Sequence, residues 1–123
     1  MARKLYDKYK RKYFMNFIFC VNEKFGENIV KTIIDPTESG NIGRYINHSC
    51  EPNCKLYTIR INNEVPKLCI FACKDINESE EICFDYGENI STDTPLDYKD
   101  RVACLCGKPT CRKYLPYDKN SFN

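Results

Sequence analysis

No apolar run in this sequence approaches the roughly 20 residues that a membrane-crossing helix requires, so no membrane span is expected. The opening Met1-Ala2-Arg3-Lys4 leads into a basic segment and not into the apolar core of a secretion signal, so secretion is not expected either. Net charge is nearly absent. The 19 Lys and Arg residues against 17 Asp and Glu leave a formal +2, which gives no strong signal for direct nucleic-acid binding. No internal repeat or low-complexity tract is visible, and histidine is reduced to a single residue, His48.

What is present is a chain of 123 residues, 42% hydrophobic and 29% charged, which is the composition of one small folded domain. Its nine cysteines, without a secretion signal, read as reduced thiols, some of them binding metal.

Along the chain, Lys4–Tyr13 spaces Leu5, Tyr9 and Tyr13 four apart and predicts a short amphipathic helix. Its basic residues form either a surface for chromatin or RNA or, more simply, a solvated helix face. Phe14–Val21 and Ile29–Ile34 are β-branched and aromatic, and the polar Asn22–Asn28 between them carries a glycine, so a hairpin is expected. Asp35-Pro36 and Ser39-Gly40-Asn41 end it. Lys55–Ile61 alternates, Asn62-Asn63 marks a turn, and Lys67–Cys73 and Ile82–Tyr86 read as further strands. Residues 88–99 are polar and without period, a loop. Between Gly43 and Lys55, Arg44–Cys54 packs the histidine, two cysteines and a Pro-Asn turn into eleven residues with no hydrophobic period. The chain is therefore mainly β with short helices, organised around that irregular stretch.

Cys104, Cys106 and Cys111 place three thiols on a segment too short for a core of its own. Tetrahedral zinc needs four ligands, so one must come from elsewhere. Cys50, in the irregular polar stretch, is the better candidate and Cys54 the competitor; spacing does not separate them. Cys20, Cys69, Cys73 and Cys83 lie in strand-like apolar runs, where a thiol behaves as a small hydrophobe.

Three pieces, Asn47-His48-Ser49-Cys50-Glu51-Pro52-Asn53, Phe84-Asp85-Tyr86-Gly87 and Cys104-x-Cys106-x4-Cys111, resemble in order and spacing the SET domain and post-SET tail of protein-lysine methyltransferases. The likeness is to the suppressor-of-variegation class and to the SET half of SET–transposase fusions, through Gly40-Asn41-Ile42-Gly43-Arg44, Val65-Pro66-Lys67-Leu68 and Phe71-Ala72-Cys73-Lys74-Asp75-Ile76. It implies a SET β-fold with a pseudoknot, in which the Asn47-His48 segment and the Tyr86 segment pass one through a loop of the other. With 1–13 a basic helical segment and 88–99 a loop, the resemblance makes 14–87 the C-terminal portion of the SET domain and 100–116 a zinc-binding post-SET tail. S-adenosylmethionine is expected on Phe17, Arg44, Asn47, His48 and Leu105, and zinc on Cys50, Cys104, Cys106 and Cys111. Tyr86 and Phe84 are the expected catalytic pair. Relatives with phenylalanine at the Phe84 position tend to add two or three methyl groups.

The implied reaction is methyl transfer to a lysine amine of a histone H3 tail or another lysine-containing protein, in the nucleus, on the chromosome. Two parts of the family pattern, an upstream Gly-aromatic-Gly strand and a cysteine-rich pre-SET region, do not occur in the 123 residues. On that ground the N-terminal part of the SET domain is expected to be missing. The second reading is accordingly a catalytically inactive SET fragment that acts as a zinc-stabilised module docking on chromatin proteins.

Overall fold

A computed structural model of the chain describes residues 18–87 and 102–116. The helix expected over Lys4–Tyr13, the strand start at Phe14, the cofactor contact at Phe17 and the loop 88–99 lie outside the described residues. The described residues form two compact units, one ending at Arg44 and one beginning at Tyr45.

In the first unit, β1 (Phe19–Phe25) and β2 (Asn28–Ile34) pair antiparallel from Phe19↔Ile34 to Phe25↔Asn28. The loop is only Gly26-Glu27, and Gly26 takes φ 60, the geometry that the first position of a tight II′-type hairpin turn demands and that glycine adopts without cost. The polar Asn22–Asn28 cluster is thus strand for most of its length. Cross-strand hydrogen bonding of Asn22, Glu23 and Lys24 outweighs their low strand propensity. One 3-10 turn, Ile42–Tyr45, follows; the described residues contain no α-helix.

The second unit is a four-stranded sheet in the order β3-β6-β4-β5. β4 (Cys54–Ile59) and β5 (Lys67–Ala72) form its antiparallel part, from Cys54↔Ala72 to Ile59↔Lys67. Tyr57 and Phe71 meet diagonally on one face, ring centroids 5.6 Å apart at 82°. The turn expected at Asn62-Asn63 is present: Asn62 takes φ 47, and the Asn63 side chain accepts the Val65 N–H at 2.9 Å.

β6 (Cys83–Phe84) runs parallel to both its neighbours, β3 (Asn47–His48) and β4. Its register, Asn47↔Cys83 and His48↔Phe84, sets side by side the two segments whose crossing makes the expected pseudoknot. Parallel neighbours cannot be joined by a tight turn, so β6 reaches its place only after the chain has built β4 and β5.

Little apolar surface holds this arrangement. The buried hydrophobic side chains among the described residues are Val21, Cys54, Cys83 and Phe84. Buried polar residues supply much of the rest, and Asn53, 2% exposed, does most. Its Oδ1 accepts the Cys83 N–H at 2.9 Å, and its Nδ2 donates to the Glu81 carbonyl at 2.8 Å and to Glu80 Oε1 at 3.3 Å. Its backbone carbonyl accepts the Cys73 N–H at 2.9 Å. One residue thereby ties the start of β4 to the approach of β6 and the end of β5.

Replacing Asn53 with Ala leaves the Cys83 N–H and the Glu81 carbonyl without partners. The Cys83 N–H is buried whereas Glu81 is exposed to water, so at about 1–3 kcal/mol for one unsatisfied buried group the expected loss is about 1–3 kcal/mol, measurable as a lowered midpoint in urea or thermal unfolding.

Candidate functional site

The site grows from the ends of β3 and β6. Parallel pairing carries the chain past His48 and Phe84 together, and the Ser49 N–H continues the ladder to the Phe84 carbonyl at 3.2 Å. Beyond this point both segments turn irregular, because Ser49 Oγ captures the Glu51 N–H at 3.1 Å and Asp85 Oδ1 captures the Gly87 N–H at 2.9 Å. The two turns leave Cys50 and Tyr86 just outside the sheet.

His48 fills the space between them. Its side chain is only 2% exposed. The Tyr86 N–H donates to Nδ1 at 3.1 Å, and Nε2 lies 3.4 Å from Cys50 Sγ. Since Nδ1 accepts a backbone proton, the ring proton belongs on Nε2, aimed at the sulfur. Burial lowers the His48 pKa, with Arg112 acting in the same direction and Asp85, whose Oδ1 is 3.7 Å away, opposing. The imidazole is therefore neutral at pH 7. Both ring nitrogens are engaged by the protein, so any ligand contact at His48 falls to its main chain.

Tyr86 packs edge-on against His48 at 5.2 Å and 61°, and against Phe84 at 4.9 Å and 48°. Phe84 is buried, while Tyr86 is half-buried with its hydroxyl donating to the Ile46 carbonyl at 2.6 Å. Burial, reinforced by the charge of Glu81, pushes the phenol above its ordinary range. At neutral pH Tyr86 is a proton donor and not a phenolate base.

The sulfur atoms of Cys50, Cys104, Cys106 and Cys111 lie within 4.8 Å of one another. Cys50 Sγ and Cys104 Sγ are 3.8 Å apart. Four sulfurs about 2.3 Å from a tetrahedral zinc stand about 3.8 Å from each other, so the cluster has the dimensions of a zinc site. Its surroundings also suit thiolates. Arg112 N–H points at Cys50 Sγ and Lys113 N–H at Cys111 Sγ, each at 3.4 Å. Hydrogen bonding from the backbones of Cys50 and Lys108 brings the Cys106 thiol down to about 6, while burial leads in pushing Cys104 up to about 12. Only a cation lets all four ionise together. Four thiolates close the shell, leaving no position for water or substrate, so such a metal is structural.

Spacing left Cys50 and Cys54 as competitors; the geometry separates them. Cys54, 3% exposed, sits in β4 with its thiol pKa raised by burial, and does not join the cluster.

The remaining expected site residues, Asn47, Leu105 and Arg44, have the following settings. Asn47 exposes its side chain and donates through Nδ2 to Glu81 Oε1 at 2.8 Å. Leu105, between two of the cluster cysteines, is 92% exposed. Arg44 belongs to the first unit, where its Nη1 donates to the Pro36 carbonyl at 2.9 Å and so braces the loop after β2. Spacing does not single out Asn53 as a buried anchor, nor Asp85 and Arg112; the only local hint is that Asp85 precedes Tyr86 and Arg112 follows Cys111.

Comparison with known proteins agrees with this geometry. The family model of the SET domain matches residues 2–87. The chain is 45% identical over 101 residues to the probable histone-lysine N-methyltransferase set-23 of Caenorhabditis elegans, a match covering 82% of this chain and 39% of the relative. It is 39% identical over 115 residues to the histone-lysine N-methyltransferase SETMAR of Mus musculus, covering 87% and 37%. The crystal structure of the methyltransferase domain of human SETMAR superposes with a TM-score of 0.71 at 37% identity, over 92% of this chain and 45% of that one. KRYPTONITE, crystallised with mCHG DNA and SAH, gives 0.61 at 30% identity, over 83% and 21%. The chain thus spans about two-fifths of the length of these curated relatives.

Purified protein is expected to carry about one zinc per chain by elemental analysis. Cys50→Ser should lose most of it and Cys54→Ser should keep it; the reverse pattern would overturn the ligand assignment.

Proposed function

This chain belongs to the SET-domain family of histone-lysine N-methyltransferases and has its mainly β fold, and we propose that it transfers a methyl group from S-adenosylmethionine to a lysine amine of a histone H3 tail, on chromatin in the nucleus. The observation that carries this reading is the placement of Tyr86. A half-buried phenol, held neutral, is fixed through its own backbone N–H to a buried histidine and walled by Phe84.

Bound S-adenosylmethionine supplies a methyl group on a positive sulfur. For this chain the task is to present a neutral amine to it. Deprotonating lysine at pH 7 costs about 4 to 5 kcal/mol from a pKa of about 10.4. Apolar walls such as the Phe84 ring lower that cost by disfavouring the ammonium. The Tyr86 hydroxyl donates its proton to the Ile46 carbonyl, so its oxygen lone pairs are left to orient the incoming nitrogen; desolvation and alignment replace a strong base. Tyr86 could not serve as that base, because its pKa moves upward.

Three residues of the second unit suit the nucleoside end of the cofactor. The side-chain amide of Asn47 is exposed, the main chain of His48 lies beside it, and Leu105 presents an uncovered apolar side chain on which a flat adenine gains contact area. The four-sulfur cluster takes zinc and holds Leu105 at its place in the tail.

Tyr86→Phe should reduce methyl transfer to an H3 peptide by about 10²-fold or more, the usual effect of removing one preorganised hydrogen-bonding group, with zinc content unchanged. Mass spectrometry of the peptide reads the transfer. Folded, zinc-loaded wild-type protein that methylates no H3 peptide would overturn the proposal and leave the non-catalytic chromatin module.

A further inference from the structure

Asp85 and Arg112 form an ion pair that no part of the methyl-transfer chemistry uses. Arg112 Nη2 donates to Asp85 Oδ1 at 2.7 Å, with the side chains 41% and 20% exposed. The same Oδ1 accepts the Gly87 N–H at 2.9 Å. Asp85 therefore shapes the backbone on the far side of Tyr86 while its charge holds the tail. The pair is charge-assisted and short.

The contacts close on themselves. From Cys50 Sγ one path runs through His48 Nε2 and Nδ1 to the Tyr86 N–H. The other runs through the Arg112 N–H, which points at the same sulfur, along the Arg112 side chain to Asp85, the residue before Tyr86. Tail and sheet are also pinned where Pro116 presses on Gly87, at which an added Cβ would lie 2.5 Å from the proline Cβ, and where Thr110 Oγ1 donates to Glu51 Oε1 at 2.7 Å. The first touches only the residue after Tyr86 and the second lies at Glu51, whereas Asp85 precedes Tyr86 and its Oδ1 also holds the Gly87 N–H, so the pair grips the backbone on both sides of Tyr86.

We propose that Asp85 and Arg112 are positioning residues, an ionic latch that closes this ring and transmits the order of the cysteine tail to the backbone of Tyr86. The inference rests on the catalytic reading of Tyr86 only for its consequence in turnover; the latch itself is a statement about order. Metal bonds and the latch then have separate duties, the first holding the tail's own fold and the second setting the tail against the Tyr86 strand.

The test is a double-mutant cycle on the full chain loaded with zinc, read by amide hydrogen exchange. Asp85→Asn keeps an oxygen acceptor for the Gly87 N–H and removes the charge; Arg112→Gln removes the partner. Each is expected to retain about one zinc per chain and to speed exchange at the Tyr86, Cys104 and Leu115 amides about two- to fivefold, as a partly exposed pair allows. The double variant should be no faster than either single one, and Arg112→Lys should recover most of the protection. Unchanged exchange in the single variants, or fully additive effects, would overturn the latch. A fall in kcat at unchanged zinc content should accompany faster Tyr86 exchange. If the wild-type chain transfers no methyl group, the functional reading fails, while the exchange cycle still decides the latch.

Discussion

Two residues of β6, Cys83 and Phe84, are pinned between β3 and β4, and the second unit depends on that insertion. A strand this short contributes few ladder bonds, so the insertion is completed by side chains. Asn53 reaches the Cys83 N–H from one side, and the Ser49 N–H reaches the Phe84 carbonyl from the other. Each of these bonds spans 30 residues or more of chain, so each closes a long loop at an entropic cost that only the assembled sheet offsets. Once β6 is seated, Tyr86 has nowhere to go but beside His48.

Burial explains why polar groups carry so much. The described residues bury few apolar side chains, whereas His48, Ser49 and Asn53 are all buried and hydrogen-bonded. Low local polarity strengthens such bonds and penalises any that break. A four-sulfur cluster does the corresponding work in the tail, where the strand-like order between 102 and 116 is one Ala103↔Tyr114 bridge with its flanking bonds, Cys104 N–H to the Lys113 carbonyl and Leu115 N–H to the Val102 carbonyl. Four sulfurs with the dimensions of a zinc site stand where the segment is too short to build a core.

The chemistry follows from which groups this packing leaves neutral. His48 is turned inward with both nitrogens occupied, so it acts on the site through geometry, as the link between Cys50 and the Tyr86 backbone. Tyr86 is kept protonated by the same burial that holds it still. A site built this way offers orientation and a dry wall, which suits the proposed methyl transfer, whose leaving group is already activated by positive charge on sulfur.

Much of this was legible in the residues themselves. Alternation at Lys55–Ile61 foretold β4, and the apolar run Lys67–Cys73 foretold β5, because strand preferences of this kind are local. Gly26 and Asn62 sit where the chain takes positive φ, a preference that belongs to the residue type. The cysteine spacing marked a metal site, and the three family motifs marked SET. Tertiary structure alone decided the partners. It brought Cys50 Sγ to Cys104 Sγ across 54 residues, in line with the ligand the family resemblance implied where spacing alone had left Cys54 in play, and it directed the His48 ring to Tyr86 across 38. It also made Asn53 an anchor and paired Asp85 with Arg112. None of these has a local signature, because the free energy of each contact lies in a neighbour that only the folded chain supplies.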